Sequence, residues 1–246
     1  MDVGMESLKN HVALVTGASS GIGKTLALSL AAQGTEVWLV GRRKEVLEEV
    51  AMQVQALGSR GLACSLDLTC DDDVRNLGEK LEREAPRLNI LVLCGGTIVH
   101  GPLAKFSLAD VDLMYRSNLR SYHALLQETL PLLRRAQGQI VFVNSTAGLR
   151  SGANAALYSA TQHAFRSTAD SLREEVNPDG IRVLSVYLGR VATPRTEQTF
   201  AKEGRPYKPE LLVQPEDVAE MVIHALRLPR TAEVTDMTIR AMLKSY

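Results

Sequence analysis

The sequence predicts an α/β fold in which helices cover both faces of one parallel sheet. Short runs rich in β-branched residues alternate with longer stretches of helical periodicity along nearly the whole chain, an order that produces parallel strands joined by crossover helices. The apolar residues of the short runs occupy consecutive positions, as expected of strands buried on both faces. A length of 246 residues, 45% of them hydrophobic, suits one domain of this class.

The strands can be assigned in chain order. We predict the first six at residues 11–16, 36–40, 61–66, 89–93, 139–143 and 181–187, and a final strand near residues 233–240. Amphipathic segments of helical length separate them, and two long helices are predicted at 117–135 and 154–176. The Asn-Pro-Asp-Gly sequence at 177–180 ends a helix, because proline cannot continue one. Pro215 suits the first turn of the last helix.

One segment lacks a clear pattern of regular structure. Residues 190–214 are rich in Thr, Arg, Lys and Pro, and a loop of this length within a compact domain is usually a binding segment. We therefore predict a substrate loop there. With no internal repeat and no long linker, residues 1–246 are predicted to form one domain.

Charge and cysteine content exclude several classes of function. The 28 basic and 28 acidic residues cancel, so the basic face of a nucleic-acid-binding protein is not expected. Cys64, Cys70 and Cys94 are too few for a disulfide framework, and no pair has zinc-ligand spacing, so no metal site is predicted. The N-terminus lacks the apolar stretch of a secretory signal, and no long apolar run suggests a membrane span. We expect a cytoplasmic protein.

A glycine-rich loop follows the first predicted strand and opens a helix. Glycines at 17, 21 and 23 permit a tight turn and let backbone N–H groups approach a pyrophosphate at the positive end of the helix. A plain glycine-rich turn is the alternative, but the strand–loop–helix context favours a dinucleotide site. The predicted cofactor loop consists of Gly17, Ser19, Ser20, Gly21, Ile22 and Gly23.

The end of the second strand indicates which dinucleotide binds. A site for NAD requires an acid there to accept hydrogen bonds from the adenosine ribose, but the chain has Arg42 and Arg43. Two guanidinium groups attract and bind a 2′-phosphate. The alternative is that both arginines merely begin a solvated helix. The predicted cofactor is NADP(H).

Together with Asn118, Ser145 and Tyr158, this glycine loop resembles the short-chain dehydrogenase/reductase family over nearly the full length of the chain. Tyr158 lies 13 residues after Ser145, as in that family. The resemblance implies a Rossmann-type, doubly wound parallel sheet of about seven strands. It also implies cofactor contacts beyond the glycine loop and the arginines, at Asp67, Leu68, Gly95, Tyr158, Gln162, Gly189, Val191 and Thr193.

The resemblance also implies a catalytic set that the chemistry supports. Hydride transfer to a carbonyl carbon requires a proton donor at the oxygen, and Tyr158 has the corresponding position. Ser145 would hold the substrate oxygen, and Asn118 would support a water in the proton path. Gln162, one helical turn after Tyr158, would bind the nicotinamide ribose.

Three departures from the family bear on activity. The family has a lysine at the position of Gln162, which would lower the tyrosine pKa; glutamine carries no charge, and His163 and Arg166 on the same helix are poorly placed to replace it. The family's Asn-Asn-Ala-Gly after the fourth strand is replaced by residues 93–96, Leu-Cys-Gly-Gly. Its Pro-Gly after the sixth strand is Leu-Gly at 188–189.

The predicted function is therefore NADP(H)-dependent interconversion of a secondary alcohol or hydroxy acid and a ketone, with Tyr158 as acid and base. The alternative, favoured by Gln162, is an NADP(H)-binding protein with little or no turnover that acts as a sensor or scaffold; an engineered change in an active enzyme is a third explanation. The long helices at 117–135 and 154–176 have apolar residues on more than one face, and the family pairs these helices in dimers or tetramers. We expect a homodimer or homotetramer.

Overall fold

A computed structural model describes residues 4–243 of the chain. The first three residues and the C-terminal Lys-Ser-Tyr at 244–246, which the single-domain prediction includes, lie outside the described residues. Within the described range, no helix is both long and apolar enough to cross a membrane.

The described chain forms one parallel sheet of seven strands, which confirms the predicted fold class. The strands are β1 (Val12–Thr16), β2 (Glu36–Gly41), β3 (Gly61–Ser65), β4 (Ile90–Leu93), β5 (Gln139–Ser145), β6 (Arg182–Leu188) and β7 (Asp236–Ile239). Their order across the sheet is β3-β2-β1-β4-β5-β6-β7, and every neighbouring pair is parallel. Every residue of β4 and β6 is buried, as their continuous apolar runs predict.

Eight α-helices connect these strands within the described residues. They are α1 (Gly21–Ala32), α2 (Lys44–Ala56), α3 (Asp71–Glu84), α4 (Leu108–Tyr115), α5 (Ser121–Ala136), α6 (Ala156–Val176), α7 (Pro194–Lys202) and α8 (Pro215–Leu226). The boundaries at 177–180 and Pro215 are confirmed, since α6 ends at Val176 and α8 begins at Pro215.

Two helical regions differ from the sequence prediction. The helix predicted at 117–135 is α-helical only from Ser121 onward, because its first residues belong to a π-helical turn at Arg116–Arg120. Residues 190–214 are not without regular structure, because α7 lies within them. Thr193 caps α7 by accepting a hydrogen bond from the Thr196 backbone, and Pro194 fixes the first helical φ angle.

A separate hydrophobic core fills each face of the sheet. Residues such as Leu30, Val50 and Val222 bury α1, α2 and α8 against one face. Residues such as Leu81 and Phe165 belong to the core on the other face, which α3, α5 and α6 cover. Helices on both sides hold the sheet rigid and leave its edges at the strand ends open to solvent.

The strand order fixes where a ligand can bind. β1 lies between β2 and β4 in the sheet. The chain continues from β1 to β2 on one side, and β4 begins the other half of the sheet on the other side. The loops after β1 and β4 therefore diverge, and a crevice opens at the carboxyl ends of these strands.

Candidate active site

A cleft of about 570 Å³ lies at this crevice, a size typical of small-molecule and cofactor sites. All sixteen residues predicted to bind the cofactor line it. They are Gly17, Ser19, Ser20, Gly21, Ile22, Gly23, Arg42, Arg43, Asp67, Leu68, Gly95, Tyr158, Gln162, Gly189, Val191 and Thr193. Ser145 lines the same cleft, whereas Asn118 does not. The topology thus brings together side chains from loops far apart in sequence.

The glycine loop is built for close approach of a ligand to the backbone. Gly17 has a φ angle of +63°, and a Cβ atom there would lie 2.5 Å from the carbonyl oxygen of Cys94. A Cβ atom at Gly23 would collide with the carbonyl of Gly17. Only glycine fits both positions, so the loop turns tightly and α1 starts directly beside the strand ends.

The first turn of α1 supplies an anion-binding surface to the cleft. Its N-cap residue, Ser20, makes no side-chain capping hydrogen bond, and Gly21, Ile22 and Gly23 all line the cleft. The first N–H groups of a helix lack partners within it and lie at its positive end. The geometry therefore fits the pyrophosphate of a dinucleotide.

Arg42 and Arg43 lie at the mouth of the cleft after β2. Arg43 donates hydrogen bonds to the backbone and hydroxyl oxygens of Ser19, at 3.3 and 3.0 Å, so it is tied to the glycine loop. Arg42 is exposed and also lines the cleft. Among the described residues that line it, Asp67 is the only acid, and its carboxylate accepts hydrogen bonds from the Thr69 backbone and hydroxyl. This end of the cleft suits a phosphate.

Ser145 and Tyr158 form a hydroxyl pair at the opposite end. Ser145 is the last residue of β5, and Tyr158 lies in the first turn of α6. Burial raises the pKa of Tyr158, whereas a hydrogen bond with Ser145 and the positive charge of Arg195 act in the opposite direction. The phenol is therefore protonated at neutral pH.

Gln162 lies one turn beyond Tyr158 on the same face of α6. Its side chain is buried and lines the cleft, as the four-residue spacing predicts. Neither of the nearby basic residues, His163 and Arg166, supplies a positive charge at this position. The His163 ring nitrogen is 2.9 Å from the Ser159 carbonyl of its own helix, and Arg166 stacks over the Tyr187 ring and pairs with Asp170.

Asn118 lies in the helical turn before α5 and joins two other elements. It is buried in the π-helical turn, where its amide oxygen accepts a hydrogen bond from the Thr97 backbone at 2.7 Å. Its amide nitrogen donates to the Thr97 carbonyl at 2.8 Å and to the Thr161 hydroxyl at 3.1 Å. The side chain thus joins the loop after β4 to α6. The predicted support of a water in the proton path by Asn118 stays a prediction.

Three further residues of the cleft wall are not among the predicted site residues. Tyr122 of α5 is buried, and burial raises its pKa. Burial also raises the pKa of Cys94 to about 11, so this thiol is unreactive at neutral pH. Arg195, in the first turn of α7, is the third. Since α7 falls in the segment without a clear pattern, no spacing in the sequence identifies it.

Comparisons with known proteins agree with this geometry. Residues 11–204 match the family model described as short chain dehydrogenase. An uncharacterized oxidoreductase of Staphylococcus epidermidis is 31% identical over 96% of this chain and 99% of its own length.

Two solved structures are similar throughout. An alcohol dehydrogenase from Thermococcus sibiricus, complexed with 5-hydroxy-NADP, is 26% identical with a TM-score of 0.86, covering 97% of this chain and 99% of its own. A short chain dehydrogenase from Burkholderia cenocepacia, in complex with NADP, is 28% identical with a TM-score of 0.81, covering 95% of this chain and 98% of its own. On sheet order, cleft and these matches, the chain belongs to the short-chain dehydrogenase/reductase family of oxidoreductases.

Proposed function

We propose that the protein is an NADP(H)-dependent oxidoreductase that interconverts a secondary alcohol or hydroxy acid and the corresponding ketone. The observation that carries this proposal is one cleft with phosphate-binding groups at one end and the Ser145–Tyr158 pair at the other. The two structural relatives described above were solved with NADP or 5-hydroxy-NADP, which supports the choice of cofactor.

Each group has a role that follows from its position. When bound, the nicotinamide cofactor supplies or accepts the hydride. The Ser145 hydroxyl holds the substrate oxygen, and Tyr158 donates a proton to it during reduction or accepts one during oxidation. Gln162 offers hydrogen bonds to the ribose, and Asn118 positions the loop after β4. Gly21, Ile22 and Gly23 hold the pyrophosphate.

The raised pKa of Tyr158 sets the direction in which the enzyme works well. A phenol whose pKa lies above its ordinary value stays protonated at neutral pH, so reduction has its acid ready. Oxidation needs the deprotonated phenol, whose fraction rises with pH. We therefore propose that ketone reduction dominates near neutrality and that alcohol oxidation increases into the alkaline range.

A second function is favoured by one observation. Gln162 is buried and uncharged at the position one turn from Tyr158, so the protein would bind NADP(H) and have little turnover if no other group assists the phenol. A sensor or scaffold would then be the result.

Parallel measurements of turnover and binding separate the two functions. We expect NADPH oxidation with at least one member of a panel of ketones and hydroxy-acid-derived ketones, and NADPH binding by fluorescence. Tyr158→Phe should lower turnover by at least about 100-fold, because general acid catalysis is lost, and leave NADPH binding within a few-fold. Binding without turnover on any substrate would identify the sensor or scaffold instead.

Cofactor choice is tested at Arg42. Arg42→Asp removes a charge-assisted hydrogen bond and repels the 2′-phosphate, so the dissociation constant for NADPH should rise roughly 30- to 150-fold. The constant for NADH, which lacks this phosphate, should not rise, because the introduced carboxylate can accept hydrogen bonds from the adenosine ribose. Arg83→Asp, the same charge reversal at an exposed position of α3, serves as the control. Equal affinities of the unmodified protein for NADPH and NADH would contradict the assignment.

The neutral residue at 162 gives a prediction for pH dependence. Gln162→Lys places an ammonium one turn from the phenol, which favours its anion and should raise alcohol oxidation at pH 7 by about 10- to 1000-fold. Ketone reduction at pH 7 should change less. Gln162→Met controls for the loss of the amide. If Gln162→Lys binds NADPH normally but leaves the rate and the pH profile of alcohol oxidation unchanged, Tyr158 is not the acid and base.

We also propose that the protein is a homo-oligomer. Of the leucines in α5, Leu125, Leu126 and Leu133 are buried within the chain, so they do not supply the free apolar face expected from the sequence. Helix α4 does supply one, since Leu108, Val111 and Tyr115 share a helical face and are exposed.

Light scattering at micromolar concentration should give two or four times the chain mass of 26.8 kDa. Val111→Glu should lower the mass, because a charge in a closely packed apolar interface is unfavourable. Met52→Glu, at an exposed position of α2, should leave it unchanged. A monomer in the unmodified protein would show that α4 has no partner copy.

A further inference from the structure

A buried phenol needs a nearby positive charge to serve as a base. Burial favours the neutral form of Tyr158, and deprotonation leaves an anion in a region of low dielectric. The residue on the next turn, Gln162, is buried and neutral. The cleft must provide a cation from elsewhere if alcohol oxidation is to proceed near neutrality.

Three cationic side chains line the cleft among the described residues: Arg42, Arg43 and Arg195. Arg42 and Arg43 follow β2 at the phosphate-binding end. Arg195 comes from a different wall, the first turn of α7. Of the three, Arg195 is the one whose charge acts on Tyr158.

The start of α7 is held against the cofactor loop. Thr193, the N-cap residue of α7, packs so closely on Gly21 that a Cβ atom at Gly21 would lie 3.0 Å from the Thr193 methyl. Arg195 lies two residues later. Its positive charge lowers the pKa of three groups whose pKa is raised by burial, namely Cys94, Tyr122 and Tyr158. Its charge therefore reaches the interior of the cleft.

Arg195 also differs from neighbouring arginines in its ionic contacts. Arg190 pairs with Glu203 at 3.0 Å, and Arg205 pairs with Glu203 at 3.2 Å; both stack over Phe200. In the range 4–243, no acidic side chain forms a salt bridge with Arg195 within 4.0 Å. Its charge is thus not neutralised by a protein carboxylate and acts on the cleft.

We propose that Arg195 is an electrostatic positioning residue that stabilises the Tyr158 anion from α7 and so replaces the cation absent at position 162. This inference rests on the proposed function. The other groups around Tyr158 are the Ser145 hydroxyl, the Tyr122 phenol and the His100 ring, whose centroid is 6.2 Å from that of Tyr158. None of these is a permanent cation.

The main experiment compares pH profiles of kcat in both directions. Arg195→Met should lower alcohol oxidation at neutral pH by about tenfold and move its rise to higher pH, because one nearby opposite charge is lost. Ketone reduction at pH 7 should stay within about twofold, since the protonated phenol is retained. Arg195→Lys keeps the charge and should keep most of the activity. Lys202→Met, which removes a charge from an exposed position of the same helix, should behave like the unmodified protein.

A double variant distinguishes an electrostatic role of Arg195 from a role in binding substrate or cofactor. Gln162→Lys in the Arg195→Met background should restore oxidation and return the profile toward neutral pH. If Arg195 instead holds the substrate or cofactor, Arg195→Met would raise KM or the NADPH dissociation constant, leave the profile in place and resist rescue by the added Gln162→Lys substitution. That outcome would overturn the inference.

A spectroscopic titration tests the inference without turnover. The ultraviolet absorbance of tyrosinate, taken as the difference between the protein and its Tyr158→Phe variant without cofactor, reports Tyr158 alone. We expect this titration to move to higher pH in Arg195→Met and to stay in place in Lys202→Met. An unmoved titration would overturn the role of Arg195. If the Tyr158 titration moves in Arg195→Met but the unmodified protein turns over no substrate, the proposed enzymatic function is rejected and the electrostatic effect of Arg195 on Tyr158 stands.

Discussion

The cleft depends on how the buried Thr16 side chain connects the diverging ends of β1 and β4. Backbone pairing of these strands ends at Val15 and Val92. Beyond it, the Thr16 hydroxyl donates to the Cys94 carbonyl and accepts from the Cys94 N–H, both at 2.8 Å. This pair of bonds satisfies backbone groups that the splayed strands leave unpaired. It also sets the separation of the loops that begin at Gly17 and Gly95.

Two consequences follow from that fixed separation. Gly17 must be glycine, because any side chain would meet the Cys94 carbonyl. The segment after Gly95 must be held independently, and Asn118 does this by bonding both backbone groups of Thr97. An asparagine in a π-helical turn is suited to the task, since the extra residue in the turn redirects one side chain from the helix face. Hydrogen bonds of Thr16 and Asn118 thus connect the segments that form the floor of the cleft.

The sequence was sufficient for the strands, the glycine loop and the arginines after β2 because each is a local pattern. Parallel strands bring their carboxyl ends to one edge, so residues that follow different strands can be assigned to one site without coordinates. Tyr158 and Gln162 were likewise related by helical spacing. The roles of Asn118 and Arg195 could not be predicted in this way. Their partners lie on other elements, and spacing along the chain gives no distance across a cleft.

The substitute for a charged residue at 162 illustrates this limit. The basic residues nearest to Gln162 along α6 are His163 and Arg166, and both make contacts elsewhere. The cation instead comes from α7, a helix whose start depends on the Thr193 cap and on contact with Gly21.

A charge on α6 would be fixed relative to Tyr158 because both belong to one rigid helix. A charge on α7 acts on the phenol across the cleft, so its effect depends on the position of α7 against the glycine loop. The same packing that holds the cofactor loop therefore also determines how strongly the phenol is favoured as an anion. In the proposed mechanism, binding geometry and proton transfer are thereby linked through one helix terminus.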